Sequence, residues 1–201
     1  MKNQSICLAP GPSELYFTAE DHLKKAFREG IPSLSHRSSS FERHYQTVVD
    51  GLRQLLNLPT DYTVAFTSSA TEIWERSIQS MVDERCHHFV NGAFSKRYFE
   101  IAKLCGKEAV ASIVPDGSGF TSAEMCEGSP EVIALTHNET STGVSMPMEP
   151  IHQMRIKNPT VLVIVDAVSS LPYPDFDYTK VDSVFFSVQK GFGLPAGLGV
   201  W

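Results

Sequence analysis

The stretch VLVIVD, Val161 to Asp166, decides the fold. Five consecutive apolar residues leave no polar face, so the run does not read as a half-exposed strand. It fits a strand of a parallel sheet, covered on both sides. Similar short β-rich runs recur at Tyr62–Phe66, Cys86–Val90, Ala109–Val114, Val132–Thr136 and Val184–Val188. Helical spacing lies between some of them, over Ser69–Val82, Phe94–Cys105 and Met148–Ile156. Two helices precede the first run. One starts at Thr18-Ala19-Glu20-Asp21, carries Leu23, Ala26 and Phe27 on one stripe and ends at Gly30. The other starts near Ser39, with Glu42 three residues on, and keeps its apolar stripe until Pro59. This alternation predicts an α/β fold with three α/β/α layers and a mainly parallel sheet. No repeat or linker divides the 201 residues, so residues 1–201 read as one large domain with its N-terminal segment.

Composition excludes several classes. A net charge of −6 with no basic run argues against nucleic acid as a partner. No apolar stretch approaches the ~20 residues of a membrane span. Met1 to Pro10 lacks the basic-then-apolar pattern of a secretory signal. Cys7, Cys86, Cys105 and Cys126 are scattered without a CxxC pair, which suits reduced thiols and a cytoplasmic location. Cys86-His87-His88 suggests a metal cluster, but neighbours on a strand point to opposite faces, so no metal site is expected.

In open α/β sheets, sites form beyond the carboxyl ends of the strands. The first run leads into Thr67-Ser68-Ser69-Ala70-Thr71, small residues opening a helix whose free N–H groups could cradle an anion. Ser69-Ala70-Thr71-Glu72 fits a plain capping box equally well. Val132–Thr136 leads into the polar His137-Asn138-Glu139-Thr140-Ser141-Thr142-Gly143. Val161–Val165 ends in Asp166, a carboxylate that is costly there unless a cation meets it. Val184–Val188 ends in Gln189-Lys190, and a lysine there is costly unless chemistry neutralises its charge. Each residue alone also has a bland reading as a cap, a turn or a solvent-reaching side chain. Together they match the protein's share of pyridoxal phosphate chemistry: a lysine for the aldehyde, an acid for the ring nitrogen and a phosphate site. The rival GxGxxA reading of Gly191–Ala196 requires a helix where Leu194-Pro195 and a following strand-like Leu198–Trp201 stand.

The chain resembles the class V, fold type I aminotransferases that use pyridoxal 5'-phosphate, and among them the phosphoserine branch. The motifs run in the family's order: Ser35-His36-Arg37-Ser38, Ser69-Ala70-Thr71, Gly92-Ala93-Phe94-Ser95-Lys96, Asn138-Glu139-Thr140, Asp166-Ala167-Val168-Ser169-Ser170, and Gln189-Lys190-Gly191 with Pro195-Ala196-Gly197. The resemblance implies roles. Lys190 bonds to the cofactor aldehyde and is the catalytic base. Asp166 pairs with the pyridine nitrogen. Phe94 stacks on the ring where the family usually has tryptophan. Thr140 meets the ring's phenolic oxygen. Ser69, Ala70, Thr71 and Gln189 hold the phosphate. His36 and Arg37 meet the substrate's acidic group. The implied reaction moves an amino group from glutamate to a three-carbon oxo acid bearing phosphate, a step of serine biosynthesis, in a homodimer acting on small amino and oxo acids.

The sequence also departs from the pattern. Family members continue beyond residue 201 through the rest of the large domain into a smaller C-terminal domain, so residues 1–201 are expected to be the N-terminal segment plus most of the large domain of a truncated or partial chain. The phosphoserine branch often has glycines where Ser68-Ser69 stand. An aminotransferase using alanine, serine or glyoxylate is therefore the alternative substrate reading. A cysteine desulfurase or lyase shares the fold but usually carries histidine where Gln189 stands. A non-catalytic remnant of the fold is the alternative of a different class.

Overall fold

The computed structural model describes residues 8–123, 126 and 128–201. Cys7, and residues 1–7 of the segment read against a secretory signal, lie outside the described residues. Helix α1 (Ala19–Arg28) runs to Gly30, which turns left-handed at φ 68°. Helix α2 (Ser39–Leu56) starts from Ser38, whose hydroxyl accepts the Phe41 N–H at 3.2 Å. There follow β1 (Phe66–Thr67), α3 (Ala70–Met81), β2 (Arg85–Val90), α4 (Ala93–Leu104), β3 (Glu108–Ile113) and β4 (Val132–Thr136). A small hairpin pairs β5 (Asn138–Glu139) with β6 (Val144–Ser145). The chain goes on through α5 (Met148–Lys157), β7 (Leu162–Asp166), β8 (Ser183–Ser187) and β9 (Gly199–Val200). No helix among the described residues is long and apolar enough to cross a membrane.

Seven strands form one sheet in the order β1-β9-β8-β7-β4-β2-β3. The five from β8 to β3 are mutually parallel; β9 is antiparallel to both β8 and β1. Alternation explains the unbroken apolar runs. Val163 and Val165 of β7, with Ile133 and Leu135 of β4, join a core that includes α2 and α5 residues. Ile164, Val132 and Ala134 face the other way, onto Ile73, Trp74 and Ile78 of α3 and Tyr98 and Ile101 of α4. Both faces are covered, so each strand needs apolar residues throughout. These are the three layers expected.

One expected strand is corrected. Tyr62–Phe66 does not form a five-residue strand; the strand is Phe66–Thr67, paired with β9, and Ala65 exchanges backbone bonds with Trp201 just before it. Side chains take its carbonyls first. Arg53 Nη2 donates to Tyr62 O at 2.8 Å and Tyr45 OH to Val64 O at 2.6 Å. The GxGxxA reading also falls, because residues 191–198 form turns before β9 and no helix. On β2, Cys86 and His88 share a face, with Sγ and Nε2 3.4 Å apart. His87 points the other way, 3.0 Å from Ser112 Oγ.

After β2 the chain crosses to β3 on one side; after β4 it builds β7 and β8 on the other. The β2 and β4 connections therefore part in opposite directions. A crevice opens beyond the carboxyl ends of strands at such a point.

Candidate active site

A cavity of about 270 Å³ lies at these strand ends. It is at the small end of the ~300–1,000 Å³ usual for ligand sites. Each wall comes from a different element. Ser69, Ala70, Thr71 and Trp74 come from the start of α3 and Phe94 from the first turn of α4. Thr136 ends β4 and Asn138 and Thr140 come after it, Asp166 closes β7, and Ser187 ends β8 with Gln189 and Lys190 just beyond. Gly11 and Pro12 of the N-terminal segment complete the lining. All the residues expected to hold the cofactor are thus brought to one space. His36 and Arg37 are not: they are exposed, on the turn before α2, outside the lining.

Asp166 is 3% exposed. Its Oδ1 accepts the Val168 N–H at 2.9 Å and its Oδ2 the Trp74 indole N–H at 2.8 Å. Burial pushes its pKa up to about 6 although both donors pull it down; Glu139 adds to the rise and Lys190 opposes it. In cofactor-free protein the folded state therefore holds this proton more tightly than the unfolded chain does. The resulting stability is fully present below the ordinary pKa of 3.8 and is lost as pH rises through about 6. Its size is on the order of 3 kcal/mol, at about 1.4 kcal/mol per pH unit. Urea unfolding between pH 4 and 7 is expected to show this fall, and Asp166→Asn is expected to remove it. An unchanged slope in the variant would place the titration elsewhere.

Lys190 is half-buried, and its Nζ donates to Pro10 O at 3.1 Å. The N-terminal segment straps its turn in place. Ser13 N donates to Gln189 O at 2.8 Å and Ser13 Oγ to Lys190 O at 2.6 Å. Gly11 makes the close approach possible. At φ 143° it occupies backbone space that favours glycine, and a methyl there would stand 2.7 Å from Lys190 Cε.

The first turn of α3 is both cap and cradle wall. Ser69 Oγ accepts the Glu72 N–H at 3.2 Å, and Ser187 Oγ accepts the Ala70 N–H at 3.2 Å. The reciprocal arm of a capping box is missing, because Glu72 Oε2 takes the Ser68 hydroxyl at 2.7 Å and the Ser68 N–H at 2.9 Å. Ser68's hydroxyl holds the Glu72 carboxyl below its ordinary range.

Glu139 fixes the opposite wall. Fully buried, it accepts from Ser95 N and Oγ at 2.9 Å, Phe94 N at 3.3 Å and Ser141 Oγ at 2.6 Å. Burial raises its pKa, but the donors led by Ser141 outweigh that and bring it below the ordinary value. A carboxylate at the N-terminus of α4 also suits the helix dipole. It ties Phe94 to the loop that carries Thr140.

The residues fit pyridoxal phosphate on grounds internal to the structure. The buried carboxylate of Asp166 lines a cavity without an ion-pair partner among the described residues. Thr136 Oγ1 and Gln189 Oε1, of two lining residues, are buried and lack hydrogen-bond partners among the described residues. Buried polar atoms normally have partners, so the cavity is built for a polar ligand. Trp74, Ser187, Gly11 and Pro12 were not legible as site residues. Ser187 lies inside an apolar strand, and Gly11-Pro12 reaches Lys190 only through a contact nearly the whole chain apart.

The sheet and cavity define the large-domain architecture of one enzyme class, and the aminotransferase class-V family matches residues 98–201. The chain belongs to that family. Among similar proteins, a phosphoserine aminotransferase of Cytophaga hutchinsonii has a crystal structure 56% identical to it, with TM-score 0.93 over 96% of this chain and 54% of that one. The phosphoserine aminotransferase of a Nocardioides species is 30% identical over 94% of this chain and 50% of its own length. An L-aspartate–glyoxylate aminotransferase of Paracoccus denitrificans is 29% identical over all of this chain and 52% of its own. The chain spans about half the length of the curated relatives it matches.

Proposed function

We propose that this chain carries the cofactor site of a pyridoxal-phosphate-dependent aminotransferase that exchanges the amino group of O-phosphoserine with 2-oxoglutarate. The observation that carries the reading is one cavity lined by Lys190, Asp166 and the first turn of α3. Pyridoxal phosphate, when bound, supplies an aldehyde that takes up the amino group and a ring that accepts electrons from the substrate's α-carbon. Lys190 would hold that aldehyde, and its Nζ would serve as the base that moves the proton at the substrate's α-carbon. Asp166, when ionised, would balance positive charge on the ring nitrogen. Ser69, Ala70, Thr71 and Gln189 would bind the phosphate, Gln189 through its amide N–H, because its buried Oε1 only accepts. Thr140 would hydrogen-bond the ring's oxygen, and Phe94 would stack on the ring. His36 and Arg37 are assigned to the substrate's acidic group on resemblance alone. A homodimer in the cytoplasm belongs to the same proposal.

The 56% identity to the Cytophaga phosphoserine aminotransferase supports the substrate. Likeness to the Paracoccus enzyme supports a second reading, transfer to glyoxylate. Initial rates with O-phosphoserine and 2-oxoglutarate both varied are expected to give parallel double-reciprocal lines. Intersecting lines contradict a mechanism in which one product leaves before the second substrate binds. If kcat/KM for L-aspartate and glyoxylate exceeds that for the phosphorylated pair by more than about a hundredfold, the second reading replaces the first.

A further inference from the structure

We infer that Trp74 is a positioning residue that holds the Asp166 carboxylate ionised and fixed in its plane through the indole N–H. The inference rests on the reading of Asp166 as charge partner of the cofactor ring. On its own, Trp74 looks like a core residue, since α3 buries Ile73, Trp74 and Ile78 together. Its polar end tells otherwise. The indole N–H meets Asp166 Oδ2 at 2.8 Å, across 92 residues of chain, while Val168 N–H meets Oδ1 at 2.9 Å. The two donors come from different elements, one from α3 and one from the loop after β7. With one on each oxygen, the carboxylate cannot turn about its own axis without breaking a charge-assisted bond.

The indole is itself held. It stacks on the Tyr98 ring, centroids 5.7 Å apart and planes 16° from parallel. Ser77 Oγ donates to Trp74 O at 3.0 Å, which uses its one proton. The Tyr98 hydroxyl, 2.7 Å away, is then the donor to Ser77 Oγ. Tyr98 packs edge-on against His88 and Phe185, and it is 1% exposed. The network thus closes from Asp166 through Trp74 and Tyr98 to Ser77 and back to the α3 backbone. A phenylalanine at 74 would keep the stacking and lose the donor. The titratable groups facing Asp166 are Glu139 of β5, Lys190 beyond β8 and Tyr98 of α4. Glu139 disfavours its charge and Lys190 favours it. Trp74 is a neutral donor that selects the ionised form.

The test uses the intact protein freed of cofactor. The Trp74 indole N–H resonance is assigned by its contact with the Tyr98 ring. It is expected to shift with pH around a midpoint of about 6, and Asp166→Asn is expected to flatten that curve. In Trp74→Phe the Asp166 carboxyl resonance is expected to titrate about one pH unit higher. In the loaded enzyme the same variant is expected to lower kcat about tenfold and leave KM within about twofold. An Asp166 carboxyl resonance in the unaltered protein that titrates without a matching shift of the indole resonance overturns the inference, whether or not any variant folds. If that happens while turnover still needs Lys190, the inference alone fails. If the indole titrates but turnover survives Lys190→Ala, the proposed function fails and the Trp74 contact stands.

Discussion

Lys190→Ala is expected to reduce amino transfer by at least about 10³-fold and to remove the visible absorbance of the cofactor-loaded protein in the same step. Two losses are combined. The aldehyde loses the amine that holds it, and the substrate's α-carbon loses the base that moves its proton. The fold should survive. Lys190 is half-buried and makes one side-chain bond among the described residues, to Pro10 O at 3.1 Å. The bonds that strap its turn run from Ser13 to the main-chain carbonyls of residues 189 and 190, which alanine keeps. Stability is expected to change by no more than about 1 kcal/mol. A variant that is folded, colourless and inactive fits the account. One that is folded and still turns over does not.

Asp166→Asn is expected to lower kcat by about 10²–10³-fold while leaving the cofactor attached. The amide has the shape of the carboxylate but no charge to balance a cationic ring. It also has one acceptor where the carboxylate has two. Val168 N–H and the Trp74 indole N–H now meet these oxygens from two directions, and one of them would face the amide nitrogen instead. Loss of charge and loss of orientation therefore act together. Steady-state rates, read beside the visible spectrum of the loaded protein, separate this outcome from simple loss of the cofactor. Wild-type turnover in the variant contradicts the role given to Asp166.

Much of this site could be read from the chain because a parallel strand buried on both faces is written as an unbroken apolar run. Polar residues at its end then stand out. Asp166 and Lys190 are visible for that reason, and so is the polar stretch that begins at His137. Helix starts were legible to within a residue: Ser69 caps α3 as its spacing to Glu72 suggests, whereas α2 is capped by Ser38, one residue before the Ser39 that the spacing to Glu42 points to. What stayed hidden depends on where distant pieces meet. Trp74 carries an apolar ring on an apolar helix face, and only the fold aims its nitrogen at Asp166. Ser187 looks like an interruption in a strand until α3 is laid beside it and Ala70 N–H reaches its hydroxyl. The first expected strand failed because propensity cannot foresee that Arg53 and Tyr45, from a helix, would claim its carbonyls.

The central claim is that the Lys190 nitrogen carries the cofactor. Borohydride reduction of the loaded protein makes a carbon–nitrogen bond of that kind permanent, and peptide mass spectrometry then locates it. The account predicts one modified site, on the peptide that contains Lys190. A tag on any other lysine, or a loaded protein in which no lysine is tagged, contradicts it.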